Sequence, residues 1–378
     1  MKKLLKIALV ALLTLSVFGC SKQDDSQPSG GDQPSSDVKK VVVLIPFTGD
    51  NSYFDTLARG VEQAKKDLAG KVEINLVEVG HTQEKATWDA AFDEYCEDGE
   101  YDLVVSGNNS YEEFLFGAAQ RYPDQMFMNF DFSSLPEGMT EVPKNVYCVT
   151  YALDDLGYVV GALSASLTKT GKVGVVVGMS NQPMDQFIGG WCQILEAEGK
   201  EYYVRYVSDK ISENQFSTPS VGKEITDDLA KAGCDVVWQV AGGTGAGVIQ
   251  SCAENGIWAV GVDSDQYAQF VETQPDWAKA IVTSALKNSD VALEECIKLV
   301  VEGKFNEKLG KTEAWGIALN GVGIAENDYY KEQVSPEIQA ALADILAQVT
   351  AGQVEVVDTM EMTPAEWQAW HDANTTKY

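Results

Sequence analysis

The sequence predicts an α/β protein of two similar lobes, each a parallel sheet flanked by helices, and three observations carry that expectation. Short β-branched runs alternate with helix-length amphipathic runs from Lys39 to about residue 352. The alternation comes in two sets of similar size. Polar loops follow the strands, at the end where an open parallel sheet holds its ligand.

The elements read in order as follows. Val41–Phe47 is an apolar strand, and the run Ser52–Ala69 sets Phe54, Leu57, Ala58, Val61, Ala64 and Leu68 at three- and four-residue spacing, one face of a helix. Residues 72–80, 101–107 and 126–132 are further strands, with helices near Thr87–Asp98 and Tyr111–Tyr122 between them. Asn145–Tyr151 opens the second set, whose strands are "KVGVVVG", "YYVRYV", "CDVVWQVA" and "WAVGVD". Its helices lie near Asp154–Thr170, Pro183–Glu198, Pro219–Ala232 and Gly247–Asn255. The strand "KAIVTSALK" and the helix "SDVALEECIKLVVEG" follow. A last helix over 335–352 opens with Ser335 as N-cap and Pro336 in its first turn. On this reading residues 39–148 and 267–308 form one lobe, and residues 149–266 and 309–378 the other. The tail "DTMEMTPAEWQAWHDANTTKY" carries no motif that assigns it a role.

The amino terminus belongs to export rather than to the fold. "MKKLLKIALVALLTLSVFGC" has a basic start, a short apolar run and Gly19-Cys20, so residues 1–20 read as a lipoprotein signal peptide with Cys20 as the lipidated residue. Phe18 is bulkier than the small residue usual before such a glycine. Residues 21–38 are rich in Ser, Gln, Asp, Gly and Pro, a composition too polar to fold, and read as a flexible tether. The expected location is a bacterial cell membrane, with the chain lipid-anchored and facing the extracytoplasmic side.

Charge and composition exclude other classes. A net charge of −29 leaves no basic footprint for nucleic acid. Only His81 and His371 are present, far apart, which leaves a zinc site or a histidine-based triad poorly supported. The cysteines other than Cys20 show no metal-like spacing and sit in apolar patterns, as buried free thiols do.

The post-strand loops hold aromatics, amides, carboxylates and glycines, but no nucleophile paired with a base and no phosphate-gripping lysine. That inventory suits a neutral ring bearing several hydroxyls better than it suits a reaction, and it points away from an enzyme with a bound cofactor. The turn "VAGGTGAGVIQ" between a strand and a helix imitates a dinucleotide cradle, with Gly243-Thr244-Gly245 supplying G-x-G. The third glycine is missing, since Val248 stands in its place. Asp263 follows at the end of the next strand, where an acid reaches ribose hydroxyls with or without a dinucleotide.

These loops also resemble a known family. "NVYCVTYALDDLGYVVGALSASLTKTGKVGVVVGM", "AGGTGAGV", "WAVGVDSDQ" and "VTSALKNSDVALEECIKLVVEGKF" are similar, in order, to the basic membrane protein lipoproteins, the purine-nucleoside-receptor type of ABC-transporter substrate-binding protein. The resemblance implies a type I periplasmic-binding-protein fold whose two lobes close on a ligand across three hinge crossings. It implies a monomer that delivers a purine nucleoside to an ABC permease. The base would be sandwiched by Tyr53, or Phe54 in its stead, and Phe216, and the ribose held by Asp263 and Lys287. Backbone around Gly242 and Gly243 would face the sugar, and Asn108 and Asp131 would line the base end. The first loop reads "TGDNSYFD" and lacks one of the family's paired acids, and "MDQ" at 184–186 stands where basic residues are common. Another ring-plus-polyol ligand such as a flavin fits the same inventory, as does a surface or signalling lipoprotein with no transport partner.

Overall fold

The computed structural model describes residues 38–80, 85–208 and 215–375. The signal peptide, Cys20, most of the tether and His81 lie outside the described residues.

Twelve described strands form two six-stranded sheets. They are β1 (Lys39–Ile45), β2 (Val72–Glu78), β3 (Leu103–Ser106), β4 (Met126–Phe130), β5 (Val146–Tyr151), β6 (Lys172–Met179), β7 (Glu201–Ser208), β8 (Val236–Val240), β9 (Trp258–Asp263), β10 (Ile281–Lys287), β11 (Lys311–Trp315) and β12 (Val322–Ile324). The helices that connect them are α1 (Tyr53–Asp67), α2 (Lys85–Cys96), α3 (Glu112–Arg121), α4 (Leu153–Leu167), α5 (Gln182–Ala197), α6 (Pro219–Lys231), α7 (Gly245–Asn255), α8 (Gln266–Phe270), α9 (Pro275–Ala278), α10 (Ser289–Val301), α11 (Asp328–Gln333), α12 (Pro336–Thr350) and α13 (Pro364–Thr375).

Strand order is β2-β1-β3-β4-β5-β11 in the first sheet and β7-β6-β8-β9-β10-β12 in the second. The first five strands of each order correspond one to one, so the lobes repeat a single plan. The sixth differs: β11 runs parallel to β5, whereas β12 runs antiparallel to β10. Central strands such as β3 and β8 are buried along their whole length, which explains their unbroken apolar runs. The six cysteines among the described residues are buried, and no disulfide joins any two of them.

Three strands join sheets other than those the sequence suggests. Residues 146–151, read as the start of the second set, pair with β4 and complete the first sheet. Residues 281–287, read as first-lobe, pair with β9 in the second. Lys311–Trp315, read as second-lobe, pairs with β5. A strand's own pattern shows how it is buried, not which neighbour buries it. The chain therefore crosses between sheets at three places among the described residues: after β5, after β10 and between β11 and β12. After β10 it returns through α10, which packs on α1 so closely that a Cβ at Gly60 would lie 2.7 Å from the Asp290 Cα.

Candidate functional site

The carboxyl ends of both sheets open on one cavity of about 670 Å³. Asp131 follows β4 and Asp263 ends β9, equivalent places in the two lobes, and both adopt left-handed backbone with φ of 57° and 65°. Such backbone is uncommon for residues other than glycine and costs on the order of 1 kcal/mol or more. It turns both carboxylates to the cavity wall.

Lys287, at the end of β10, sits between them and is 5% exposed. Its ammonium lies 2.5 Å from Asp131 Oδ1. It also lies 4.5 Å from the ring centre of Tyr53, 5.1 Å from Tyr151 and 5.6 Å from Phe187, a cage of three aromatic rings. Asp263 accepts a hydrogen bond from Ser52 Oγ. Burial pushes the Asp263 carboxyl up to about 6, while Lys287 and the Ser52 hydroxyl pull it back and Asp50 and Asp131 push it further. Gln266 Nε2 donates to the Asn51 carbonyl at 2.9 Å. Ser52–Asp263, Asn51–Gln266 and Asp131–Lys287 thus bridge the two lobes across the cleft.

The first loop owes its shape to Asp50, a buried carboxylate that accepts the backbone N–H groups of Ser52, Phe54 and Asp55 at 3.0 Å each. This holds the start of α1 and sets Tyr53 and Phe54 on the wall, their ring centres 5.4 Å apart and edge to face. The hydroxyls of Tyr53 and Tyr151 are buried without a hydrogen-bond partner of ordinary geometry among the described residues. Burial, then the Asp131 charge, raises both phenols well above their usual range. Phe216 faces the cavity from the loop before α6. Gly178 in β6 makes room for its ring, because a Cβ there would lie 2.1 Å from Phe216 Cε1.

Of the residues expected from the sequence, Tyr53, Phe54, Asn108, Asp131, Phe216, Gly242, Asp263 and Lys287 line this cavity, and Gly243 does not. Gly242 has φ of 54°. Gly243 instead packs on the aromatic loop, where a Cβ would come within 2.9 Å of the Phe216 carbonyl oxygen. Thr244 completes that packing, with its N–H donating to the Phe216 carbonyl at 3.2 Å and its hydroxyl to the Gln215 carbonyl at 3.0 Å. The glycine turn therefore serves chiefly to seat Phe216. Asn108 uses its Oδ1 to accept from Ser110 N–H at 2.6 Å, capping its own turn. Asp131, expected at the base end, lies on the cavity wall beside the Lys287 ammonium.

Sequence reasoning missed Tyr151, Phe187 and Gly178. Tyr151 ends β5 where Lys287 ends β10, so strand-end position in the repeated plan was the available signal. Phe187 lies within α5, and Gly178 carries no local signal at all.

Residues 38–352 match the family model described as "ABC transporter substrate-binding protein PnrA-like". A "CD4+ T-cell-stimulating antigen" of Listeria innocua is 23% identical over 372 residues, covering 94% of this chain and 98% of the relative. An "ABC transporter nucleoside-binding protein BmpA" of Lactococcus lactis is 24% identical over 371 residues, covering 94% and 99%. Among solved structures, an ABC transporter solute-binding protein of Aeropyrum pernix superposes with a TM-score of 0.71 at 22% identity, over 88% of this chain and 96% of that one. The fold is that of the type I periplasmic solute-binding proteins.

Proposed function

The chain belongs to the PnrA-like family of ABC-transporter substrate-binding proteins, the basic membrane protein family its loops resemble, and on that premise we propose that it captures a purine nucleoside. As a substrate-binding protein it takes a small-molecule ligand outside the cytoplasm and presents it to a permease. In our reading a lipid on Cys20 anchors it, and the unit that binds is a monomer.

The observation that carries the nucleoside reading is the pairing of aromatic rings with the Asp131–Lys287–Asp263 group in one cleft. Tyr53 or Phe54 and Phe216 offer ring faces to a base, each stacked face contributing roughly 1–3 kcal/mol. A carboxylate accepts from two neighbouring hydroxyls and a lysine donates to them, which matches the 2′ and 3′ groups of ribose. The two lobes close by bending at the three crossings, and closure removes water from these groups, which strengthens each contact. Release reverses the motion and separates Ser52 from Asp263 and Asn51 from Gln266.

Mass spectrometry of solute carried through native purification, followed by calorimetry against a nucleoside panel, tests the proposal. Binding to purine nucleosides is expected, with Tyr53→Ala and Phe216→Ala each weakening it at least tenfold. Tight binding of a flavin or another solute with no nucleoside bound would overturn it. Light scattering checks the monomer, and metabolic labelling with a fatty acid, lost in Cys20→Ala, checks the anchor.

A further inference from the structure

The segment after residue 352 lies beyond the family match, yet it is built into the cleft. It runs along α5, held by two glutamines of that helix. Gln182 Nε2 donates to the carbonyls of Thr359 at 2.6 Å and Met362 at 2.8 Å, and Thr359 Oγ1 donates back to the Gln182 carbonyl at 3.1 Å. Gln193 accepts from Val357 N–H at 2.8 Å and donates to the Glu355 carbonyl at 2.9 Å. Gly189 lies beneath this segment, and a Cβ there would come within 2.4 Å of the Val357 carbonyl oxygen. Glycine within a helix costs about 1 kcal/mol against alanine, so this position favours tail packing over helix propensity.

Helix α13 locks the far end. Asp185, fully buried, accepts from the Tyr206 hydroxyl at 2.6 Å and Trp367 Nε1 at 3.0 Å, and its Oδ2 lies 2.8 Å from His371 Nδ1. The Tyr202 hydroxyl donates to Asn374 at 2.9 Å. The tail is thereby part of the second lobe, and it sets Asp358 and Met360 on the cavity wall together with Asp154 of α4. Among the described residues the lining carboxylates are Asp50, Asp131, Asp154, Asp263 and Asp358. Lys287 is the one cation among the described lining residues, and Asp131 already pairs with it.

We propose that this tail is a specificity-determining wall of the cleft, in which Asp358 and Asp154 select ligands that present N–H donors and reject ligands that carry a phosphate. The inference rests on the nucleoside reading and narrows it to nucleosides with an amino or amide N–H on the base. Burial, then the Asp358 charge, pushes the Asp154 carboxyl up to about 7. An added phosphate would meet several carboxylates, and the one cation among the described lining residues, Lys287, is already paired with Asp131, so like charges would repel. Donor N–H groups relieve the same crowding.

Calorimetry with guanosine, purine riboside (which lacks a base N–H donor) and guanosine 5′-monophosphate tests the wall. The wild type is expected to bind guanosine at least tenfold tighter than purine riboside and at least a hundredfold tighter than the monophosphate. Asp358→Ala is expected to narrow both ratios at least threefold, and Met360→Ala to weaken guanosine at least threefold. Hydrogen exchange over residues 356–362 is expected to slow when guanosine is added. Unchanged ratios in Asp358→Ala, with tail exchange indifferent to ligand, overturn the wall. If the wild type binds no nucleoside, the nucleoside reading falls separately. The solute recovered from native protein then becomes the probe, and unchanged affinity for it in both variants overturns the wall. A wild type that binds none of these overturns both.

Discussion

Replacing Asp263 by asparagine is expected to stabilise the ligand-free protein while weakening its grip on ligand. Asp263 is 6% exposed, and burial above all lifts its carboxyl from 3.8 to about 6. At about 1.4 kcal/mol per unit, the charged form destabilises the folded state by roughly 3 kcal/mol. The folded state holds the proton more tightly than the unfolded chain does. The stability contributed by that proton is therefore complete below about pH 3.8 and is lost as pH rises to about 6, after which the deficit is constant. The amide keeps the shape, can accept the Ser52 hydrogen bond, and tolerates the φ of 65° at this position. Urea unfolding of ligand-free protein should then show Asp263→Asn more stable than wild type by about 1–3 kcal/mol above pH 6.5, a range set by that shift. The gap should close towards pH 4. If the ligand is the nucleoside proposed above, the same change removes a charged acceptor from its ribose hydroxyls, which is worth about 1.5–3 kcal/mol, or roughly ten- to a hundredfold in affinity. A variant less stable than wild type at pH 7, or a gap that ignores pH, would refute this account of the buried carboxylate.

Two further outcomes follow from the same cleft. Lys287→Met strands Asp131 beside buried rings and should cost about 3–5 kcal/mol in urea unfolding, with part of that loss recovered when Asp131→Asn is added. Gly178→Ala should leave the sheet intact but push the Phe216 ring out of place, because the new Cβ would lie 2.1 Å from it. Ligand affinity should fall at least tenfold at nearly unchanged melting temperature, and a lost fold or an unchanged affinity would each count against the packing described.

Much of the fold was legible in single segments. The α1 face shows at three- and four-residue spacing, and its positions 54, 57, 61 and 64 are buried as that spacing requires. Ser335 caps its helix through its own side chain, as expected, a local contact. What escaped was short or exposed. Strand β11 reads "KTEAW" with only its last residue buried, so no alternation marks it, and β12 is three residues long. Asn108, Asp131, Gly242, Asp263 and Lys287 share one trait, a place at or just after the end of a strand, and the doubly repeated plan converts that trait into a common site.

What the sequence determined by itself is therefore local: which runs are strands, which faces of helices are apolar, and which polar groups stand at strand ends. Only the tertiary structure decided that Asp131 pairs with Lys287 across the cleft and that β10 and β11 exchange sheets. It alone brought His371 of the tail to Asp185, 186 residues away. The reason is physical. Periodicity and capping depend on neighbours a few residues apart, whereas an ion pair or a ring seated over a glycine depends on where the whole chain returns.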